Sequence, residues 1–185
     1  MSSNSTPQTS ENSPCFQDKN YTIEECDKNI ILSITQLLEE IIIKNKKKKF
    51  KPLKDCFYSD MIPTIKIYDY LLRIVKYTKI KISTLILSIA SITSFLKKNK
   101  NYLCINNIHK LIIVSCFLNA KFHEDFAFSS NFYAKVGGIS YKELNYLEFE
   151  FYKKNDYSLF VSEEIFKNYL NFFQTKAKRI KNINF

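Results

Sequence analysis

The stretch I105-N-N-I-H-K-L-I-I-V-S-C-F-L-N-A-K-F-H-E-D125 decides the fold class. Asn106 and Asn107 both suit a helix N-cap, since a short amide side chain can accept from an orphan backbone N–H of the first turn. Beyond them, Leu111-Ile112-Ile113-Val114 is apolar around nearly the whole circumference. That pattern belongs to a helix enclosed by other helices rather than laid on a surface. Leu103 to Ala120 is the most apolar part of the chain, but Asn106, Asn107, His109 and Lys110 interrupt it, so it is too polar to span a membrane. The stretch therefore predicts the central helix of a bundle.

Working outward, helical periodicity continues on both sides. Downstream, a short helix is expected over about Asn131 to Val136, capped by Ser129 or Ser130 and stopped at Gly137. Ser140 and Glu143 form an S-x-x-E capping box, and Ile139 with Leu144 makes a hydrophobic staple. The following helix turns Leu144, Leu147 and Phe151 inward, and Glu148 lies on that stripe one turn beyond Leu144. A further helix from about Ser162 carries Ile165, Phe166, Tyr169 and Phe173, with Glu163 and Glu164 in its first turn. Upstream, one helix starts near Thr64 with Ile65, Tyr68, Leu71, Leu72 and Val75 inward. Another starts at Ser83 with Ile86, Ile89, Ala90 and Phe95 inward. An earlier helix, Ile30 to Ile43, is ended by the basic run 44–51 and Pro52, and a linker leads on to about Met61.

The expected organisation is thus a disordered lead over 1–29, an N-terminal helix and basic linker over 30–60, the main domain over 61–173, and a basic tail over 174–185. Composition agrees with an all-α class. Among 185 residues there are Phe 16 and Tyr 12 but only Gly 2 and Pro 4, too few turn formers for a sandwich or barrel. The two glycines are the adjacent Gly137 and Gly138, which leaves no glycine-rich phosphate loop.

The formal net charge is +10. Seven lysines fall between Lys44 and Lys54, and Lys176, Lys178, Arg179 and Lys181 close the chain, so the charge reads as a surface loop and a tail. Specific nucleic-acid binding is accordingly not expected. The lysine run reads equally as a nuclear-import signal or a solvated linker. Five cysteines without C-x-x-C spacing and a polar, Ser-rich start point to a soluble, intracellular chain with free thiols, in the nucleus or cytoplasm.

Catalytic chemistry is not legible. His109 and His123 stand apart with no cysteine at ligand spacing, so no metal site and no cofactor are expected. His109 reads as a helix-surface residue and His123 as a loop residue. Cys116, two turns from His109, reads as a small buried hydrophobe rather than a nucleophile. Glu124 and Asp125 are adjacent and diverge, which suits a solvated loop.

The quoted stretch, together with Y133-A-K-V-G-G-I-S-Y-K-E-L-N-Y-L-E148, resembles the cyclin box of the P/U-type cyclins, a family of fungal phosphate-regulon cyclins and their protist relatives. Ile67-Tyr68-Asp69-Tyr70-Leu71-Leu72-Arg73-Ile74 resembles the first helix of that box, and Asp156-Tyr157-Ser158-Leu159 its link to the next. The resemblance covers roughly 61–173 and implies a five-helix cyclin box with an added N-terminal helix and a C-terminal helix. It implies a non-enzymatic subunit that activates a cyclin-dependent protein kinase by holding its αC helix in the active position, with no small-molecule substrate and no membrane partner. By motif, Lys121 of A-K-F and Glu148 of L-E would meet at the kinase-binding surface, with Phe122, Tyr152 and Tyr157 as the apolar surround. A lysine ending an apolar helix and a glutamate on an apolar stripe are costly if left unpaired, which agrees with that placement. The first box helix departs from the M-R-A-I-L type and the chain has no Trp, so a hydrophobic substrate-docking patch is not expected. A cyclin-fold transcription adaptor and a kinase scaffold without activation are the alternatives.

Overall fold

The structure, a computed structural model, describes residues 22–49 and 53–183. Most of the expected lead, and Lys51 and Pro52 of the basic run, lie outside the described residues. Among those described, seven helices and no strand form the fold: α1 Glu25–Lys47, α2 Ile67–Thr78, α3 Ile82–Lys98, α4 Ile108–His123, α5 Ser130–Gly137, α6 Tyr141–Lys154 and α7 Glu163–Ile183.

α4 is the central helix, as its all-round apolarity requires. Residues 111–120 are all buried, and α4 packs against α2, α3, α5 and α6. The α3–α4 seam is built on small hydroxyls. Thr84, Ser88 and Ser91 face α4 one turn apart, and Ser115 Oγ donates to Ser88 O at 2.8 Å. Asn119, buried among them, donates to Ser115 O at 2.9 Å. These bonds answer the demand that buried polar groups be paired, and the short side chains bring two helices together. α1 lies along α7 and braces the box from outside, touching α2 as well.

Several boundaries differ from the sequence expectations. α1 begins at Glu25 rather than Ile30 and runs through Lys47, so the first lysines of the basic run are helical. α7 continues from Glu163 past 173 into the basic segment. α2 starts at Ile67, not Thr64, and its fully buried face is Ile67, Tyr70, Leu71, Ile74 and Val75. Tyr68 and Leu72 are only half-buried: α2 is apolar on two sides because α1 covers the second. Ile165, expected inward on α7, is exposed, whereas Phe173 is fully buried.

The linker ahead of the box is packed rather than loose. Phe57 inserts edge-on against Phe95 (5.1 Å between centroids) and Phe151 (6.1 Å), which stack on each other at 4.6 Å. Asp55 pairs with Lys154 at 3.2 Å, and Ser59 and Asn106 exchange two bonds of 2.8 Å.

The capping signals are partly rearranged. Ser129 caps α5 and Ser140 caps α6, accepting from Phe132 N and Glu143 N. The other half of the box goes elsewhere, because the Glu143 carboxylate meets Lys110 at 3.0 Å. Gly138, not Gly137, takes the left-handed φ of +72° that ends α5. Gly137 is needed for closeness: a Cβ there would sit 2.6 Å from Ile113 Cγ1. At α3, Ser83 is not the cap. Glu124, arriving from the end of α4, accepts from Lys81 N at 3.0 Å and from Thr84 Oγ1. Its side chain is buried, contrary to the solvated loop expected, while its neighbour Asp125 is fully exposed.

Candidate partner-docking site

α4 ends on Lys121, Phe122 and His123, all exposed, directly after the buried run. The Glu124 clamp on α3 fixes where that last turn points. α6 crosses α4 with Leu144, Leu147 and Phe151 against the core, as the stripe predicts. That rotation brings Glu148 to the last turn of α4. Lys121 Nζ donates to Glu148 Oε1 at 2.6 Å. Lys121 Nζ also stands 5.0 Å over the Phe117 ring, which favours the ammonium there. The lysine side chain is 46% exposed and the glutamate 20%, so the pair is set into the surface with its open side toward solvent.

The pair forms the rim of a groove of about 490 Å³ between α4 and α6, lined by Leu118, Phe122, Asn145, Phe149 and Tyr152. Phe122 and Phe149 are 57% and 55% exposed. The rings continue as a chain along one side: Phe122 to Tyr152 at 6.0 Å, then Tyr152 edge-on to Tyr157 at 5.5 Å. Tyr157 sits in the left-handed region, φ 56°, held by its N–H to Tyr152 O at 2.9 Å. All five residues expected at the site thus share one continuous surface. Leu118, Asn145 and Phe149 were not anticipated. Their signal lay in spacing: Leu118, Lys121 and Phe122, and Asn145, Glu148, Phe149 and Tyr152, follow helical i, i+3, i+4 rows.

The residues considered for catalysis are placed otherwise. His109 is buried, not on the surface. Its Nε2 bonds Ile65 O at 3.1 Å, Tyr70 packs edge-on at 5.0 Å, and burial lowers its pKa. It borders a hollow of about 460 Å³ whose other walls are already engaged: Lys110 with Glu143, and Tyr70 Oη donating to Gly137 O at 3.1 Å. Burial pushes the Cys116 thiol up to about 12, so it stays protonated and inert. His123 is the last residue of α4. Among the described residues no three His, Cys, Asp or Glu side chains gather as a metal would need, and no helix is long and apolar enough to cross a membrane.

Fold and site together define an all-α module that carries an open surface of apolar rings beside one charged donor and one charged acceptor. The family model "Cyclin" matches residues 3–159. Cyclin-U4-3 of Arabidopsis thaliana is 34% identical over 160 residues, covering 85% of this chain and 73% of the plant protein. Cyclin-P3-1 of Oryza sativa is 30% identical over 80% of this chain and 67% of its own length. PHO85 cyclin-7 of Saccharomyces cerevisiae is 35% identical over 62% of this chain and 45% of the yeast protein. The chain belongs to the cyclin family, and its relatives make it a cyclin of the P/U type.

Proposed function

We propose that this cyclin is the non-catalytic subunit of a cyclin-dependent serine/threonine kinase, and that it activates the kinase by docking Lys121 and Glu148 against it. The observation that carries the reading is the 2.6 Å Lys121–Glu148 pair at the rim of a groove flanked by exposed Phe122 and Phe149. An ammonium with spare N–H donors and a carboxylate with spare lone pairs can meet the unpaired backbone groups at the end of a partner helix. The rings beside them supply apolar area, and aromatic anchors commonly dominate interface energy. One similar protein is named as a cyclin of PHO85, which supports a dedicated partner.

In this reading the kinase αC helix moves between an outward state and an inward one that pairs its glutamate with the catalytic lysine. The groove binds the inward state better, and that difference in affinity shifts the population. The cyclin contributes no reacting group, and its place is intracellular, nuclear or cytoplasmic, with its kinase.

The test is co-expression with the cyclin-dependent kinases of its own cell, reading pull-down and phosphorylation of a histone-type substrate. Wild type should capture and activate a kinase, and Lys121→Ala and Glu148→Ala should lose both while remaining folded. Truncating one member of a charge pair buried under a partner costs about 2–5 kcal/mol, roughly thirty- to several-thousand-fold in affinity. Capture without activation would leave only a scaffold, and no capture of any kinase would overturn the reading.

A further inference from the structure

α1, α3 and α6 finish at the same end of the bundle. Asn45 near the end of α1 donates to Leu103 O at 3.0 Å, just beyond α3. Asn99, closing α3, donates to Lys154 O on α6 at 3.1 Å, and Lys98 donates to Asn155 O at 3.1 Å. Each helix ends in lysine: Lys44, Lys46 and Lys47 on α1 with Lys48 and Lys49 just beyond, Lys97 and Lys98 on α3 with Lys100 just beyond, Lys153 and Lys154 on α6. The described part of the lysine run, 44–49, is therefore the end of α1 and its cap, and the fold brings it to the same end as the other lysines.

Basic residues at a helix C-terminus ordinarily offset the macrodipole, which amounts to roughly half a negative charge per helix. Three ends would need only about one and a half positive charges on that count. Two of these lysines are taken up by acids, Lys154 by Asp55 at 3.2 Å and Lys98 by Asp156 at 2.9 Å. Lys46, Lys47 and Lys97 stand exposed beyond that requirement.

We propose that this basic end docks an acidic peptide segment, carried by substrates of the kinase bound at the groove. The owner of the peptide rests on the kinase reading; the binding itself does not. Two observations favour a peptide over a nucleic acid. The charge arrives on lysines at helix ends, so no helix lies along the surface to enter a DNA groove, and no guanidinium fork stands there to read a base edge. The basic end also adjoins the groove: Tyr152 lines it, and the next residue, Lys153, has its Nζ 5.8 Å over the Phe149 ring. A segment leaving a kinase seated there would meet the lysines next.

The experiment uses the purified full chain and a fluorescently labelled poly-aspartate peptide, followed by anisotropy at physiological ionic strength. A short DNA duplex is titrated in parallel. The peptide should bind, and the triple variant Lys46→Gln, Lys47→Gln, Lys97→Gln should weaken it roughly tenfold, as the loss of three exposed ion pairs would. With the captured kinase, appending the acidic segment to a substrate should lower KM for wild type and not for the triple variant, with kcat unchanged. No peptide binding, equal binding by the triple variant, no effect of the segment on KM, or tighter binding of the duplex than of the peptide would each overturn the proposal. Because the first titration contains no kinase, failure to capture one would remove the kinase reading and leave the peptide result legible.

Discussion

The first thirteen residues of α4 and its last three belong to the same helix but answer to different demands. Ile108 to Ala120 is buried except at Lys110, while Lys121, Phe122 and His123 are exposed. In the first part the environment is other helices of the same chain, so apolar volume and paired small polar groups decide everything. In the last turn the environment is water on one side and Glu148 on the other. A ring such as Phe122, 57% exposed, contributes little to folding there. The difference separates residues that hold the fold from residues available to a partner, and it can be tested by asking whether stability and binding fail together or apart.

The largest effect on stability should come from the buried part. Leu111→Ala removes a fully buried side chain from the centre of the bundle and should cost about 2–5 kcal/mol in urea unfolding. Phe122→Ala should move the same midpoint by less than about 0.5 kcal/mol, since the ring is exposed. If Phe122→Ala unfolds the protein as readily as Leu111→Ala, the division of α4 into two surfaces is wrong.

Gly137→Ala comes next. The added methyl would press on Ile113 Cγ1 at 2.6 Å within a packed core and should cost about 1–3 kcal/mol, read by thermal unfolding. Gly138 has open space around it, so any cost of Gly138→Ala comes from its positive φ alone. Glu124→Ala sharpens the comparison at the junction itself. Losing a carboxylate that caps α3 should cost about 1–2 kcal/mol, and it should also weaken partner capture, because that carboxylate fixes the last turn of α4.

The smallest effect is a pH dependence. Burial lowers the His109 pKa below its ordinary 6.5, so the unfolded chain takes up the proton first. Stability is therefore fully present above about 6.5 and declines as pH falls toward the folded value, by at most about 1.4 kcal/mol per pH unit. His109→Gln should flatten that decline in urea unfolding measured at successive pH values. An equal decline in the variant would place the acid sensitivity elsewhere.

Much of this was legible in the sequence. The central helix, the caps at Ser129 and Ser140, and the inward stripe Leu144, Leu147 and Phe151 follow from periodicity and local hydrogen bonding, which the sequence carries directly. The meeting of Lys121 and Glu148 was legible as a resemblance and as a cost of leaving two charges unpaired. Other features depend on partners far away in the chain. Glu124 looked like a solvated loop residue because the groups that donate to its carboxylate, on Lys81 and Thr84, lie forty residues and more upstream. His109 looked exposed because polar residues flank it, yet Ile65 and Tyr70 close over it from the segment before α2 and from α2 itself. The convergence of three lysine-rich helix ends was invisible for the same reason, since each run on its own reads as a cap or a linker.

In the proposed function Lys121 and Glu148 face a partner rather than serve only each other. The most direct test exchanges them, Lys121→Glu with Glu148→Lys, and measures affinity for the captured kinase. The swap preserves an ion pair within the chain but presents an acceptor where the partner met a donor. The double variant should stay folded and bind as poorly as either single alanine variant. Recovery to near wild-type affinity would show that the pair matters only as an internal bridge, and would contradict that reading.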